Sequence, residues 1–106
     1  MRDANNTMRI LLIRPWTEPL APLRAALEAG DLNARYHRVD IEPALNAALD
    51  RGGYTVIVFD PRTPGITRET IESRMKANRR TIPILTLGAA RTLVEDIRQA
   101  LRSHAN

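Results

Sequence analysis

Short apolar runs alternate with amphipathic segments along this chain, and that alternation limits the possible folds more than any other feature. Three runs are continuous, at Met8 to Ile13, Tyr54 to Phe59 and Ile82 to Leu87, and a weaker one covers Asn33 to Val39. Runs of this length predict β-strands, and strands apolar on both faces are typical of a parallel sheet covered on both sides. We therefore predict four strands, the second of them near a sheet edge.

The segments between these runs have the spacing and the end signals of helices. Apolar residues recur three or four positions apart, with glycine or basic stretches after them. The expected capping residues are Thr17, Asp40, Thr67 and Thr92, the last with Glu95 at capping-box spacing. Strands that alternate with helices imply right-handed βαβ units, so the sequence predicts an α/β fold, an open parallel sheet with helices on both faces.

Length and composition fit one small domain. The chain has 106 residues, which we assign to a single domain at 1–106 with a disordered, polar segment at 1–7. It contains no cysteine, which excludes disulfides and thiolate metal sites and favours a cytoplasmic location. No apolar segment approaches the roughly 20 residues that span a bilayer, so we expect no membrane insertion.

The chain is basic, with a formal net charge of +4, and Lys76 is its only lysine. An arginine-rich cluster suits phosphate, so nucleic acid or a cyclic dinucleotide is one candidate ligand. The alternative is a solvated helix end, where cations interact favourably with the helix dipole, and a GC-rich genome alone can favour arginine over lysine. The candidate anion-binding residues are Arg74, Lys76, Arg79 and Arg80.

Three residues follow predicted strands at the edge where open parallel sheets bind ligands. Arg14 follows the first strand, Asp60 the third and Gly88 the fourth. Because the carboxyl ends of parallel strands meet at one edge, we expect these residues to lie close together. Asp60 would then pair with Arg14 or cap the loop that follows it.

The segment from Tyr54 to Ile66, YTVIVFDPRTPGI, resembles the strand-three block of response-regulator receiver domains. In that family an apolar strand ends in the phosphoacceptor aspartate and Pro-Gly follows four residues later, which places Asp60, Pro64 and Gly65 at those positions. RILLI and IPILTLGA resemble the family's first and fourth strands. The resemblance covers nearly the whole chain and implies a flavodoxin-like sheet of strand order 2-1-3-4 and a role in two-component signalling.

Several residues that this family needs for phosphorylation are replaced. In this chain Arg14-Pro15 replaces the acidic pair that holds Mg²⁺ in the family, and arginine cannot ligate the ion. Gly88 stands where the family has a hydroxyl residue, and Thr86 lies two positions early. The chain after strand four is too short for the family's fourth helix and fifth strand, whose lysine is also missing. We expect a truncated, degenerate receiver in which Asp60 stays unphosphorylated.

Without a fifth strand, strand four is expected to form an open sheet edge with unpaired backbone groups. Such an edge favours a homodimer joined near strand four and the last helix, or another protein that covers that region. A monomer results if the last helix folds across the gap. Trp16 either packs on the sheet edge or serves as an aromatic anchor for a partner. The other candidate interface residues are Ile82, Ile84, Leu85, Leu87, Leu93 and Ile97.

The sequence offers no group of residues suited to catalysis. It lacks a nucleophile with a base, a glycine-rich phosphate loop and paired carboxylates, and His37 and His104 lack metal-ligand spacing. We therefore predict a non-enzymatic, cofactor-free signalling or regulatory module that acts by phosphorylation-independent protein–protein contact, as a homodimer. The alternatives are a single-domain response regulator that uses Asp60, and an arginine-rich domain that binds nucleic acid or a nucleotide second messenger.

Overall fold

The computed structural model describes residues 7–105, so the disorder expected before Thr7 lies outside the described residues. Thr7 itself accepts a hydrogen bond from the Asn33 side chain at 3.1 Å. Strands and helices alternate as the sequence predicts, and a 3-10 turn at Ala90–Thr92 precedes the last helix. The elements are β1 Met8–Ile13, α1 Ala21–Ala29, β2 Ala34–Val39, α2 Glu42–Arg51, β3 Val56–Phe59, α3 Arg68–Ala77, β4 Ile84–Thr86 and α4 Leu93–Ala105.

The four strands form one parallel sheet in the order β2-β1-β3-β4. β1 is central, with Ile13 beside Val39 of β2 on one side and beside Phe59 of β3 on the other. On the far side of β3, Phe59 lies beside Thr86 of β4. The predicted α/β class, the flavodoxin-like sheet and the strand order are confirmed.

Helices cover both faces of the sheet, and each face has its own apolar core. Leu11 and Ile13 of β1 pack with the buried residues of α2 and α3. Ile10 and Leu12, which alternate with them, pack with the buried residues of α1 and α4. All four residues of β3 are buried, because this strand lies between two others and under helices on both faces. This burial on both faces explains the continuous apolar run of β3 in the sequence.

One of the four predicted helix caps is confirmed. Thr67 precedes α3 and its hydroxyl accepts the amide of Thr70 at 3.1 Å. Helices α1 and α2 begin instead with a proline in their first turn, whose fixed φ angle suits a helix start. The Asp40 carboxylate accepts the Trp16 amide at 3.3 Å, and the Thr92 hydroxyl donates to the Ala89 carbonyl. The caps predicted at Thr17 and Asp40 are therefore wrong, whereas Thr92 directly precedes α4 as predicted but its hydroxyl does not accept a helix amide.

Strand β4 is shorter than predicted and lies at one edge of the sheet. Its ladder with β3 continues beyond the strand bounds, since the Ile57 amide donates to Pro83 and the Leu87 amide donates to Phe59. Leu85 and Leu87 pack on the face that holds α1 and α4, so the last helix covers one face of β4. Among residues 7–105, no other strand pairs with its outer edge.

The helices also bear on the membrane question. Within residues 7–105, none of them has both the length and the apolar character that crossing a bilayer requires.

Candidate functional site

The candidate site lies at the carboxyl ends of β1 and β3. These strands are adjacent, and the amide of Asp60 donates to the carbonyl of Ile13 at 2.8 Å. That register brings the residue after each strand together, with Arg14 Nη1 2.8 Å from Asp60 Oδ2. Arg14 is 5% exposed and Asp60 is 2% exposed. The structure therefore contains the predicted pair as a buried, charge-assisted hydrogen bond.

A second arginine completes the coordination of the aspartate. The Arg62 amide and Nε donate to Asp60 Oδ1 at 3.0 and 3.2 Å, and its Nη2 donates to Oδ2 at 3.1 Å. Arg62 Nη2 also lies 3.2 Å from Glu18, while Arg14 Nη2 donates to the Pro19 carbonyl at 3.0 Å. Two guanidinium groups and two carboxylates thus form one network. We call it the Arg14–Asp60 cluster, consisting of Arg14, Glu18, Asp60 and Arg62.

The electrostatics of the cluster favour an ionised aspartate. Burial by itself would raise the pKa of Asp60, because a carboxylate loses hydration there. Hydrogen bonds from Arg62 and the charges of Arg62 and Arg14 outweigh that effect and lower the pKa from its ordinary 3.8. The same contact raises the pKa of Arg62. At neutral pH the two positive and two negative charges of the cluster cancel.

A cleft of about 360 Å³ opens beside the cluster. Arg14, Asp60 and Arg62 line its polar side, and Gly88 lines the end of β4, as the sequence predicts for Arg14, Asp60 and Gly88. The other lining residues are apolar or small. A divalent cation entering here would meet two guanidinium groups around the one buried carboxylate, an arrangement opposite to the carboxylate-rich shell that Mg²⁺ needs.

Two of the predicted pocket residues lie outside the cleft lining. The carbonyl of Pro15 accepts Arg38 Nη1 at 2.9 Å, in the loop on the side of β2. The hydroxyl of Thr86 accepts Arg68 Nη1 of α3 at 3.1 Å. The alternation of side chains along β4 explains the second case, because Thr86 points to the α3 face. Pro15 and Thr86, which the sequence assigns to the pocket, therefore do not line this cleft.

Sequence reasoning missed Arg62 and Thr63, although a signal was present. An aspartate that begins a loop commonly accepts the amide two residues later, and Asp60 does so from Arg62. Thr63 is buried, and its hydroxyl donates to the carbonyl of Asp60 at 2.8 Å. The Asx-turn pattern in DPRT therefore could have placed the Arg62 amide at Asp60, although not the Arg62 side chain.

The predicted interface residues separate into three groups. Ile82, Leu93 and Ile97 are buried within the chain and are not available to a partner, which corrects that prediction. The half-buried Ile84, Leu85 and Leu87 pack against the two cores from β4 and the segment that follows it. Trp16 differs from all of these, because it is 63% exposed and its ring stacks against the Arg38 guanidinium at 4.6 Å. Arg38 belongs to β2, an edge strand, so Trp16 contacts the sheet edge while most of its ring stays exposed.

The predicted anion-binding residues do not form one site. Arg74 pairs with Glu42 of α2 at 2.9 Å and does not line the depression that the other three residues share. Lys76, Arg79 and Arg80 line a depression at the end of α3. Arg80 also donates to the carbonyls at the end of α2. Lys76, Arg79 and Arg80 therefore lie together at the amino end of the sheet.

Metal-binding groups and similar proteins give no further assignment. In the described part of the chain, no three histidine, cysteine or acidic residues are grouped so that they could hold a metal ion. His37 instead shares a 2.6 Å hydrogen bond with the Tyr54 hydroxyl, and the side chain of His104 lies outside the described part. A scan against protein-family models matched no family, and a search of curated proteins found no similar sequence.

Proposed function

We propose that this chain is a receiver-like signalling or regulatory module that acts through protein–protein contact and does not depend on phosphorylation of Asp60. The observation that carries the proposal is the Arg14–Asp60 cluster. The carboxylate at the position of the phosphoacceptor already binds two guanidinium groups and a backbone amide. Phosphoryl transfer to it would require Mg²⁺ in the space that Arg14 fills.

The surroundings of the cluster support the same proposal. Gly88 lines the cleft where the receiver family has a hydroxyl, and the nearby hydroxyl of Thr86 is bound to Arg68 on another face. Lys76, the only lysine, lines the depression at the opposite end of the sheet. None of these groups is placed to bind a phosphoryl group on Asp60. The cytoplasm as its location is part of this proposal, based on the cysteine-free sequence.

The test is to add Mg²⁺ and beryllofluoride to the protein and to follow amide chemical shifts around Asp60. We expect no saturable change, because Arg14 and Arg62 already occupy the carboxylate. The Asp60→Asn variant is the matched control, since any shift that persists in it arises elsewhere. A saturable change that requires Asp60 would overturn the proposal in favour of a phosphorylated response regulator.

The partner in this proposal is a second copy of the chain, joined at the edge of β4. The Pro83 carbonyl and the Leu87 amide point to β3, so alternation along the strand turns the amides of Ile84 and Thr86 outward. An edge with free amides can pair with the same edge of another copy around a twofold axis. Burial of Leu93 and Ile97 restricts this interface to the strand itself and its rim.

Sedimentation at micromolar concentrations tests the dimer directly. We expect a dimer that Thr86→Pro converts to monomer, because proline removes an outward amide and leaves the bonds to β3 in place. Arg68→Ala is the matched control, since it removes the Arg68 contact to Thr86 without touching the backbone. A monomer in the unaltered protein, or a dimer unaffected by Thr86→Pro, would contradict this interface.

A second surface could serve a different protein partner. Trp16 and Ile41 are the exposed large apolar residues among residues 7–105, and the Asp40 carboxylate joins their loops by accepting the Trp16 amide. Exposed tryptophan is a common centre of protein interfaces. Because Trp16 is the only tryptophan, its fluorescence separates the two surfaces. Emission that is constant across the dimer dissociation supports the β4 interface, and a blue shift on dimerisation would move the interface to Trp16.

A further inference from the structure

The amino ends of β1 and β2 carry two arginines side by side. Arg9 and Arg35 are register partners in these parallel strands, so both side chains point to the same face. They line one recess together with His37 and Tyr54. Arg9 lies over the Tyr54 ring at 5.0 Å and donates to the Gly53 carbonyl at 3.3 Å. Adjacent like charges on neighbouring strands are unfavourable by themselves.

A pair of glycines connects these arginines to the end of α3. Gly52 and Gly53 have φ angles of 73° and 89°, and a Cβ at either would collide with a guanidinium. The added Cβ would lie 2.6 Å from Arg80 Cζ at Gly52 and 2.5 Å from Arg9 Nη1 at Gly53. Arg80 is held in place by bonds to the carbonyls of Leu49 and Asp50. Because Gly52 and Gly53 are consecutive, the Arg80 and Arg9 side chains that lie against them are neighbours on one surface.

Arg79 occupies a backbone conformation in which glycine is preferred. Its φ angle is 56°, at the turn where the Arg80 amide donates to Met75 and ends α3. Arg79 and Lys76 line the adjoining depression and are exposed. A helix end attracts cations, but Arg9 and Arg35 are on strands, so the helix dipole does not account for the whole set. Arg51, exposed at the end of α2, directly precedes the glycine turn. We call this set the basic band: Arg9, Arg35, Arg51, Lys76, Arg79 and Arg80.

The basic band has no carboxylate partner within the part of the chain that the structure describes. None of the ion pairs formed among residues 7–105 includes one of its members. The nearest acidic residues along the chain are Asp50 and Glu72, and Glu72 pairs with Arg68 at 3.2 Å. Residues 1–6 contribute one arginine and one aspartate and hence no net charge. Six of the 16 lysine and arginine residues of the chain thus belong to the basic band and have no ion-pair partner among residues 7–105.

The surface chemistry favours a phosphate polymer over other anionic partners. Trp16 and Ile41, the exposed large apolar residues of the described chain, follow β1 and β2 at the opposite end of the sheet. Insertion into a lipid surface and the core of a protein interface both need such residues. Tyr54 is 8% exposed and lies under Arg9, so it is not available to stack on a base. From these observations we propose that the basic band binds the phosphate backbone of nucleic acid without reading its bases.

Fluorescence anisotropy with a labelled DNA duplex of about 20 base pairs tests this proposal. Each neutralised phosphate contributes about −0.9 to the slope of log affinity against log salt concentration, so about six contacts predict a roughly 10³-fold loss of affinity between about 50 and 200 mM salt. Duplexes of different sequence should bind equally. The proposal stands apart from the proposed function, because it uses neither Asp60 nor the β4 edge.

Charge reversal at two exposed band residues gives the sharpest comparison. Lys76→Glu with Arg79→Glu should weaken duplex binding at least about 10-fold and reduce the salt slope by about two. Arg24→Glu with Arg91→Glu makes the same change in net charge on exposed residues outside the band and should have an effect of less than about 3-fold. Equal losses in the two double variants would overturn the proposal, because net charge alone would then explain binding.

Arg79→Gly separates binding from folding. Glycine suits a φ of 56°, so the unfolding midpoint should be unchanged or higher, while affinity falls and the salt slope decreases by about one. Unchanged binding in this variant would contradict the role of Arg79. Absence of duplex binding at about 50 mM salt, or tighter binding to vesicles of phosphatidylserine and phosphatidylcholine than to the duplex, would overturn the proposal as a whole.

Discussion

The two ends of the sheet differ in how their positive charges are placed. At the carboxyl end, Arg14 is buried and its charge is balanced within the Arg14–Asp60 cluster. At the amino end, the basic band lies on the surface and has no carboxylate partner among residues 7–105. The difference follows from hydration, because water stabilises an exposed guanidinium and a buried one needs a counter-ion. Net charge alone therefore does not indicate which arginines are available to a ligand.

The largest expected effect comes from removing the counter-ion at the carboxyl end. Asp60→Asn leaves Arg14 buried without a full negative partner and should lower the free energy of unfolding by about 3–5 kcal/mol. Urea denaturation measures this loss. Adding Arg14→Met to the same chain should restore most of it, because both charges are then absent. Arg62 is the exposed arginine of the cluster. If Asp60→Asn lowers the free energy of unfolding no more than Arg62→Ala does, burial of the Arg14–Asp60 pair contributes little to that free energy.

Acid should remove part of the same stabilisation. The pKa of Asp60 is lower in the folded protein than its ordinary 3.8, so the ionised form favours folding above that pH. The contribution is lost as the pH falls from about 4 through the lower folded value. Denaturation of the unaltered protein and of Asp60→Asn should therefore differ by a constant amount down to about pH 4 and converge below it. A difference that shrinks already near neutral pH would contradict the lowered pKa.

A moderate effect is expected at the amino end, where the glycine turn makes room for guanidinium groups. Gly52 has φ 73° and ψ −167°, a conformation that other residues rarely adopt, and a Cβ there would collide with Arg80. Gly52→Ala should therefore cost about 1–3 kcal/mol of unfolding free energy. Gly88→Ala is the matched control at the carboxyl end, since nothing lies within 4 Å of its added Cβ. Equal stability of the two variants would contradict this account.

The smallest effect concerns repulsion within the basic band. Arg35→Gln keeps a long polar side chain beside Arg9 and removes one of two adjacent like charges, so it should raise the free energy of unfolding by about 0.5 kcal/mol. Salt screens such repulsion, and the gain should diminish in about 1 M salt. A loss of stability at low salt would mean that Arg35 has a favourable partner.

The sequence was most informative where backbone rules determine position. Parallel strands end at a common edge, so Arg14 and Asp60 could be placed together from their positions after two apolar runs. Apolar spacing was less informative, because a buried helix face and a protein interface need the same residues. Ile82, Leu93 and Ile97 were therefore assigned to an interface although they form part of the core.

The basic residues show the limit of reading a cluster along the chain. Arg74 belongs to the same sequence segment as Lys76 and Arg79, but its position on the helix directs it to Glu42 of α2. Arg9 and Arg35 are distant from that segment in sequence and join it only through the strand register and the glycine turn. Register and turn conformation depend on tertiary packing, so a pattern in one segment cannot predict them.

The position of β1 has a consequence for the order of assembly. The first strand of the chain is a central strand and pairs with β2 and with β3, so β1, α1 and β2 can form a βαβ unit before the rest of the sheet exists. The Arg14–Asp60 contact joins residues 46 positions apart and can form only after β3 has docked on β1. Closing so long a loop is slow, since its entropy cost precedes the contacts that offset it. The buried ion pair therefore depends on the prior docking of β3 on β1.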